Sequence, residues 1–400
     1  MSKRVATALQ IIALLIAGCG NKTSGTPGVT ATEIKIGQSI SYSGPASAYG
    51  VIGKTEAAYF KMINDKGGIN GRKINFISLD DGYAPPKAVE NVRKLVENEG
   101  VAFLFNNLGT AANAAVQQYL NDRKIPQLFV ATGANRWADP ARFPWTMGFQ
   151  PSYQGEARFY ARYLLKEKPA AKLCVLFQND DFGKDYLIGL KQELGDQYDK
   201  LVVKTQSYEV TDPTVDSQIV SLQAADCDTL LTAATPKFGA QAIRKVYDIG
   251  WKPLHIISGV SVSRTAVLKP AGLEKCTGLV SSGYIKDITD PTLASDPGLN
   301  EFREFAKQYL TGFDLEDGNL LYAFGVSMTL VKVLTQCGND LSRENIMKQA
   351  ANLTKLQLPV LGTGIEVNTN PTHFRPISQM QLIRFNGHNF ETFGEVATTE

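Results

Sequence analysis

Serine, histidine and cysteine are the usual material of hydrolytic, metal and redox sites, and their spacing here supports none of the three. Ser261 and Ser263 stand in Gly259-Val-Ser-Val-Ser263, which lacks the second glycine of a nucleophile elbow. The histidines His255, His373 and His388 are isolated, and no Cys-x-x-Cys pair exists, which disfavours structural zinc and thiol redox catalysis. Gly67-Gly-Ile-Asn-Gly71 follows a helix rather than a strand, so it reads as a turn and not as a phosphate cradle. What remains is binding chemistry. Ser43-Gly-Pro-Ala-Ser-Ala-Tyr-Gly50 follows an apolar strand and opens a helix. Its tight turn lets backbone N–H groups and the Ser43 hydroxyl face an anion at the helix start. Asn106-Asn-Leu-Gly-Thr110 has the same placement, with Thr110 suited to cap the helix that follows. No enzymatic activity and no cofactor are expected.

Those loops need strands and helices to hold them, and the hydrophobic pattern supplies both. Strand-length apolar runs at 34–40, 74–79, 101–105 and 126–131 alternate with helical periods at 46–65, 86–98 and 111–122. The alternation restarts after Pro151, with helices at 155–166, 183–194 and 238–249 and strands at 173–177, 201–208 and 229–233. Parallel sheets with crossover helices require this order. Two successive series predict two similar α/β lobes, each an open doubly wound sheet. In such sheets ligands bind beyond the carboxyl ends of the strands.

A chain of 400 residues fits two domains. Its 41 basic and 39 acidic residues are dispersed and nearly cancel, so there is no concentrated basic face for nucleic acid. Lys3 and Arg4 precede an almost wholly apolar run from Val5 to Ala17, the pattern of a secretory leader. The ending Ile16-Ala-Gly-Cys19 resembles the bacterial lipoprotein box, which implies a leader of residues 1–19 and lipid on Cys19. Residues 20–30 then form a flexible tether. Contact with the membrane is expected through that lipid alone, because no later run reads as long and apolar enough to cross a bilayer. Cys174, Cys227, Cys276 and Cys337 allow up to two disulfides, and the spacing leaves the pairing open.

Taken together, five phrases resemble one family. They are Ser43–Gly50, Asn64-Asp-Lys-Gly-Gly-Ile-Asn-Gly71, Asp80-Asp-Gly-Tyr83, Ile125-Pro-Gln-Leu-Phe-Val-Ala-Thr-Gly133 and Asp180-Asp-Phe-Gly183. In order and spacing they are similar to the leucine/isoleucine/valine-binding proteins, the solute receptors of ABC importers. The resemblance runs from about Glu33 to Gly394. It implies a periplasmic binding protein type I fold, with a three-strand hinge between lobes of residues 31–147 plus 278–352 and 148–277 plus 353–400. It also implies a monomer of the periplasm or cell envelope, closing on a small-molecule ligand and delivering it to permease subunits. The alternative is a sensing module that signals to a separate receptor.

The resemblance further implies which side chains meet the ligand. Ser43 and Tyr49 come from the first loop. Asn107 and Thr110 with Ala131 and Thr132 hold a carboxylate. Phe182 reaches across the cleft from the second lobe, and Tyr153 follows a crossing. In amino-acid-binding relatives an acidic residue pairs with the ligand ammonium, where Thr235-Pro-Lys-Phe-Gly239 places Lys237. Opposite unit charges ~4 Å apart attract by ~4 kcal/mol at an effective dielectric of 20, and a lysine reverses the sign. Either Lys237 points to solvent or the ligand lacks an ammonium. With aromatic walls, the second branch points to aromatic carboxylates, with short aliphatic acids next.

Overall fold

A computed structural model describes residues 25–399; Cys19 and the expected leader lie outside them. The first sheet is parallel and five-stranded, ordered β2-β1-β3-β4-β5, from β1 (Glu33–Ile40), β2 (Lys73–Asp80), β3 (Phe103–Phe105), β4 (Gln127–Val130) and β5 (Thr146–Gly148). Helices α1 (Gly50–Asp65), α2 (Pro85–Arg93) and α3 (Thr110–Asp122) make its crossovers. Ile34, Ile36 and Ile40 on one face of β1 and Ser39 on the other are buried, as a strand covered on both faces requires.

The second lobe opens with α4 (Tyr153–Glu167), whose first turn is capped by Ser152 accepting from the Gly155 N–H at 3.0 Å. It continues through β6 (Leu173–Gln178), α5 (Asp181–Leu194), the short α6 (Tyr198–Leu201), β7 (Val202–Tyr208) and α7 (Asp216–Gln223). Then come β8 (Thr229–Ala233), α8 (Pro236–Asp248), β9 (Leu254–Ile257), the single turn α9 (Lys269–Ala271) and β10 (Val280–Gly283). The chain returns to lobe one for α10 (Pro297–Tyr309), α11 (Gly318–Cys337) and α12 (Arg343–Ala350), and ends in β11 (Gln379–Phe385) and β12 (Phe390–Thr398). The second sheet is ordered β12-β11-β10-β9-β8-β6-β7, with β11 antiparallel to both of its neighbours.

Three features correct the sequence reading. β10 pairs with β9 and β11, so the second crossing follows Gly283 rather than preceding Gly278. Residues 353–377 belong with lobe one, because Leu353, Leu358, Val360, Ile365 and Ile377 bury in the same core as α11. The final crossing therefore comes just before β11. Third, α11 is long and apolar enough to span a bilayer by length and composition, which the sequence reading overlooked. Its most apolar window is 72% buried, so its apolar surface is spent on the lobe-one core.

Cys174 and Cys227 form a disulfide, while Cys276 and Cys337 are buried free thiols. A second burial has a pH consequence. Glu56 on α1 is wholly buried; Gln38 Nε2 donates to its Oε2 at 2.5 Å, and its Oε1 has no partner. Desolvation holds its carboxyl well above the usual range, so folded Glu56 keeps a proton that the unfolded chain releases above about pH 4.3. Stability contributed by the protonated group is complete below that pH and is lost as pH rises toward the folded value. Glu56→Gln should therefore match wild type near pH 4 and exceed it near pH 8, by on the order of 1–3 kcal/mol. Melting curves of both proteins across that range check this; a gap independent of pH would sink it.

Candidate functional site

A cavity of about 580 Å3 lies between the lobes at the carboxyl ends of the strands. Its polar end is built where β3 and β4 give way to loops. Gly109, at φ +95°, turns the chain into α3, and Tyr83 Cε2 lies 2.9 Å from where a side-chain carbon on Gly109 would sit. A glycine is needed for both reasons. It supplies no capping side chain, so the first α3 amides open toward the cavity wall at Thr110. The Thr110 and Thr132 hydroxyls lie 2.6 Å apart. The Ala134 N–H and the Trp137 Nε1–H both donate to Thr132 Oγ1, at 3.3 and 3.4 Å. Either hydroxyl can donate to the other, and both line the cavity, where a ligand oxygen can accept from the pair. A helix start with a hydroxyl beside it can hold an anion.

The walls beyond are aromatic. Tyr49 and Tyr83 come from lobe one and Phe182 from lobe two, while Tyr153 and Tyr284 border the crossings. Tyr153 packs edge-on against Phe182, ring centroids 4.8 Å apart, and stacks on Tyr186 at 5.6 Å. Gln150 also lines the cavity, and its buried Oε1 has no protein donor.

Four carboxylates touch the cavity, and each is already held. Glu156 accepts from Tyr160 at 2.5 Å, Tyr186 at 2.6 Å, the Gly259 N–H at 2.6 Å and Ser282 at 2.9 Å. Burial raises its pKa; those donors oppose the rise. Asp287 accepts from Thr289 and the Phe390 N–H, Asp290 from Thr292, and Glu316 from Arg264 and Lys269. Of the four only Glu316 is ion-paired, while Glu156, Asp287 and Asp290 hold neutral O–H and N–H donors.

The periplasmic binding protein family model matches residues 33–389. The chain belongs to that family. Its members are solute-binding receptors rather than enzymes. One relative is Leu/Ile/Val-binding protein homolog 1 of Brucella suis, 25% identical over 318 residues, covering 77% of this chain and 80% of the relative. Among solved structures, a branched chain amino acid ABC transporter protein from Thermus thermophilus with bound valine superposes with a TM-score of 0.83. It shares 15% identity and covers 92% of this chain and 97% of its own. The fatty acid ABC transporter substrate-binding protein from Thermomonospora curvata gives 0.78 at 21% identity, covering 94% and 95%.

In this periplasmic binding protein the cavity brings together Tyr49, Thr110, Ala131, Thr132, Tyr153 and Phe182 of the residues expected from sequence. Three others are elsewhere. Ser43 is exposed and donates to Asp80 Oδ2 at 2.6 Å, which fastens its loop to β2. Asn107 is buried behind the wall, where its Oδ1 accepts from the Ser39 N–H at 3.0 Å. Lys237 is exposed; its Nζ lies 4.6 Å from the Phe238 ring centre and donates to the Asp212 carbonyl at 3.2 Å. Nor does Thr110 act as the helix cap: it is the first helical residue, and its hydroxyl is turned to Thr132. Sequence reasoning missed Tyr83, Gln150, Thr235 and Tyr284. A signal for Tyr83 was present in Asp80-Asp-Gly-Tyr83. Asp81 is buried and accepts from Ser39, Ser41 and the Tyr83 N–H, a turn that aims the ring inward.

The lobes are closed on one another. Tyr49 donates to the Val260 carbonyl at 3.0 Å and Ser263 to Asp317 at 2.9 Å, while Arg264 pairs with Glu316 at 3.0 Å. The one ion pair among these three contacts, Arg264–Glu316, is part-buried on its arginine side and open to solvent at Glu316. A ligand touching both lobes would add the differential affinity that favours closure.

Proposed function

We propose that this protein is the receptor of an ABC importer for a small carboxylate solute, aromatic acids foremost, which it hands to the permease on closure. The observation that carries the reading is the contrast between the two ends of the cavity. A helix start with the Thr110 hydroxyl awaits an anion, while all four cavity carboxylates are taken by protein donors. The buried one of them, Glu156, has both oxygens filled by four donors that a ligand ammonium would have to displace, which disfavours a zwitterion. Lys237, being exposed, carries none of this. Flat rings suit the walls of Tyr49, Tyr83, Tyr153 and Phe182.

A second reading rests on Gln150 Oε1, which could accept from an ammonium, and on the relative named for Leu, Ile and Val. It makes the ligand a branched-chain amino acid. Thermal-shift measurements on the purified protein with benzoate, phenylacetate, leucine and valine separate the two. A ligand at ~100 times its dissociation constant adds ~2.7 kcal/mol to the folded state. Aromatic acids should raise the melting temperature while leucine and valine leave it unmoved. The reverse pattern selects the second reading, and no shift with any carboxylate removes both.

A further inference from the structure

The cavity is larger than the ligand its polar end implies. Its volume of about 580 Å3 equals the space of about 19 waters at ~30 Å3 each, roughly twice the heavy-atom count of a benzoate. The lining continues past the Ser282–Gly283 bend, along the segment 284–293 and against β11 and β12. There Ile288, Leu293, Ile383, Phe385 and Phe390 stand among Thr289, Thr292 and Gln381, whose donors are given to Asp287, Asp290 and the Gly394 carbonyl. The charges at that end are consumed locally. Lys286 is bound to Asp296 at 2.9 Å and to the Pro359 carbonyl, and Asp287 and Asp290 hold the turn that contains them.

We infer that this apolar extension is a tail chamber, and that the ligand is an amphiphile whose carboxylate sits at Thr110 and whose hydrocarbon tail runs past Tyr284. The inference rests on the carboxylate reading above and names the class of solute. The occupant is the ligand's own tail because the chamber is continuous with the polar end. A short acid would leave apolar wall without a partner, whereas each methylene placed against it leaves water.

Titration calorimetry of the purified protein with straight-chain carboxylates and 4-alkylbenzoates of increasing length tests this. Affinity should rise about fourfold per methylene, then level off when the chamber is full. Ile288→Trp, which fills the chamber, should bring the plateau at a shorter chain. The wild-type series decides alone if that variant fails to fold. Benzoate binding with no dependence on chain length would overturn the chamber and leave the carboxylate reading intact. The same rising series for alkyl alcohols as for acids would support the chamber and overturn the carboxylate reading instead.

Discussion

Thr110→Val is expected to weaken binding of the proposed carboxylate ligand by roughly 10- to 150-fold and to lower stability by about 1 kcal/mol through the lost bond to Thr132. The size of the affinity loss follows from a hydrogen bond to a charged group, about 1.5–3 kcal/mol. Valine keeps the shape and removes only the hydroxyl, which lines the cavity 2.6 Å from that of Thr132. Thr132 Oγ1 in turn accepts from Trp137 Nε1 and the Ala134 N–H. The same network makes Thr132→Val a different experiment. It strands two buried donors, so it should lose about 1–3 kcal/mol of stability as well as affinity. Calorimetric titration of Thr110→Val and Thr110→Ser separates hydroxyl from shape, since serine should restore most of the binding. A loss smaller than threefold in the valine variant would mean that the carboxylate sits elsewhere.

Removing the disulfide should cost up to about 4 kcal/mol of stability. Cys174 and Cys227 close a loop with a sequence separation of 53, for which chain entropy predicts about 4 kcal/mol at most. Cys174→Ala with Cys227→Ala should accordingly lower the melting temperature by up to about 10 °C, and reductant should do the same to wild type. Cys276 and Cys337 do not confuse the comparison: burial pushes both thiols up to about 12, which leaves them unreactive in the folded chain. Ligand affinity should change less than about twofold, because both half-cystines lie at the amino ends of β6 and β8, away from the cavity. Scanning calorimetry with and without reductant checks the stability; an unchanged melting temperature after verified reduction would refute the claim.

The architecture was legible because its signals are local. Buried parallel strands print apolar runs, and crossover helices print a longer period, so the order of β1 to β4 with α1 to α3 could be read directly. The crossings were misplaced where locality failed. Val280–Gly283 reads Val-Ser-Ser-Gly and carries no apolar run, and only its partners β9 and β11 say which sheet owns it. Residues 353–377 contain no helix or strand of their own, and packing against lobe one decides where they belong.

The site divided along the same line. Thr110, Thr132, Tyr49, Tyr153 and Phe182 follow strand ends or open helices, and chain direction alone carries such positions to the mouth of a doubly wound sheet. Lys237 sits at the start of α8 yet points outward, since the exit of a side chain from a helix turn depends on what packs beneath it. Ser43 was lost to Asp80, a partner 37 residues away. The sequence by itself determined two α/β lobes, the lack of hydrolytic and metal motifs in its spacing, and the loops that line the cavity. Only the tertiary structure decided that the cavity's carboxylates are already spent, which thiols pair, and how far the cavity extends. Those depend on contacts between residues distant in the chain, and spacing along one strand or helix holds no record of them.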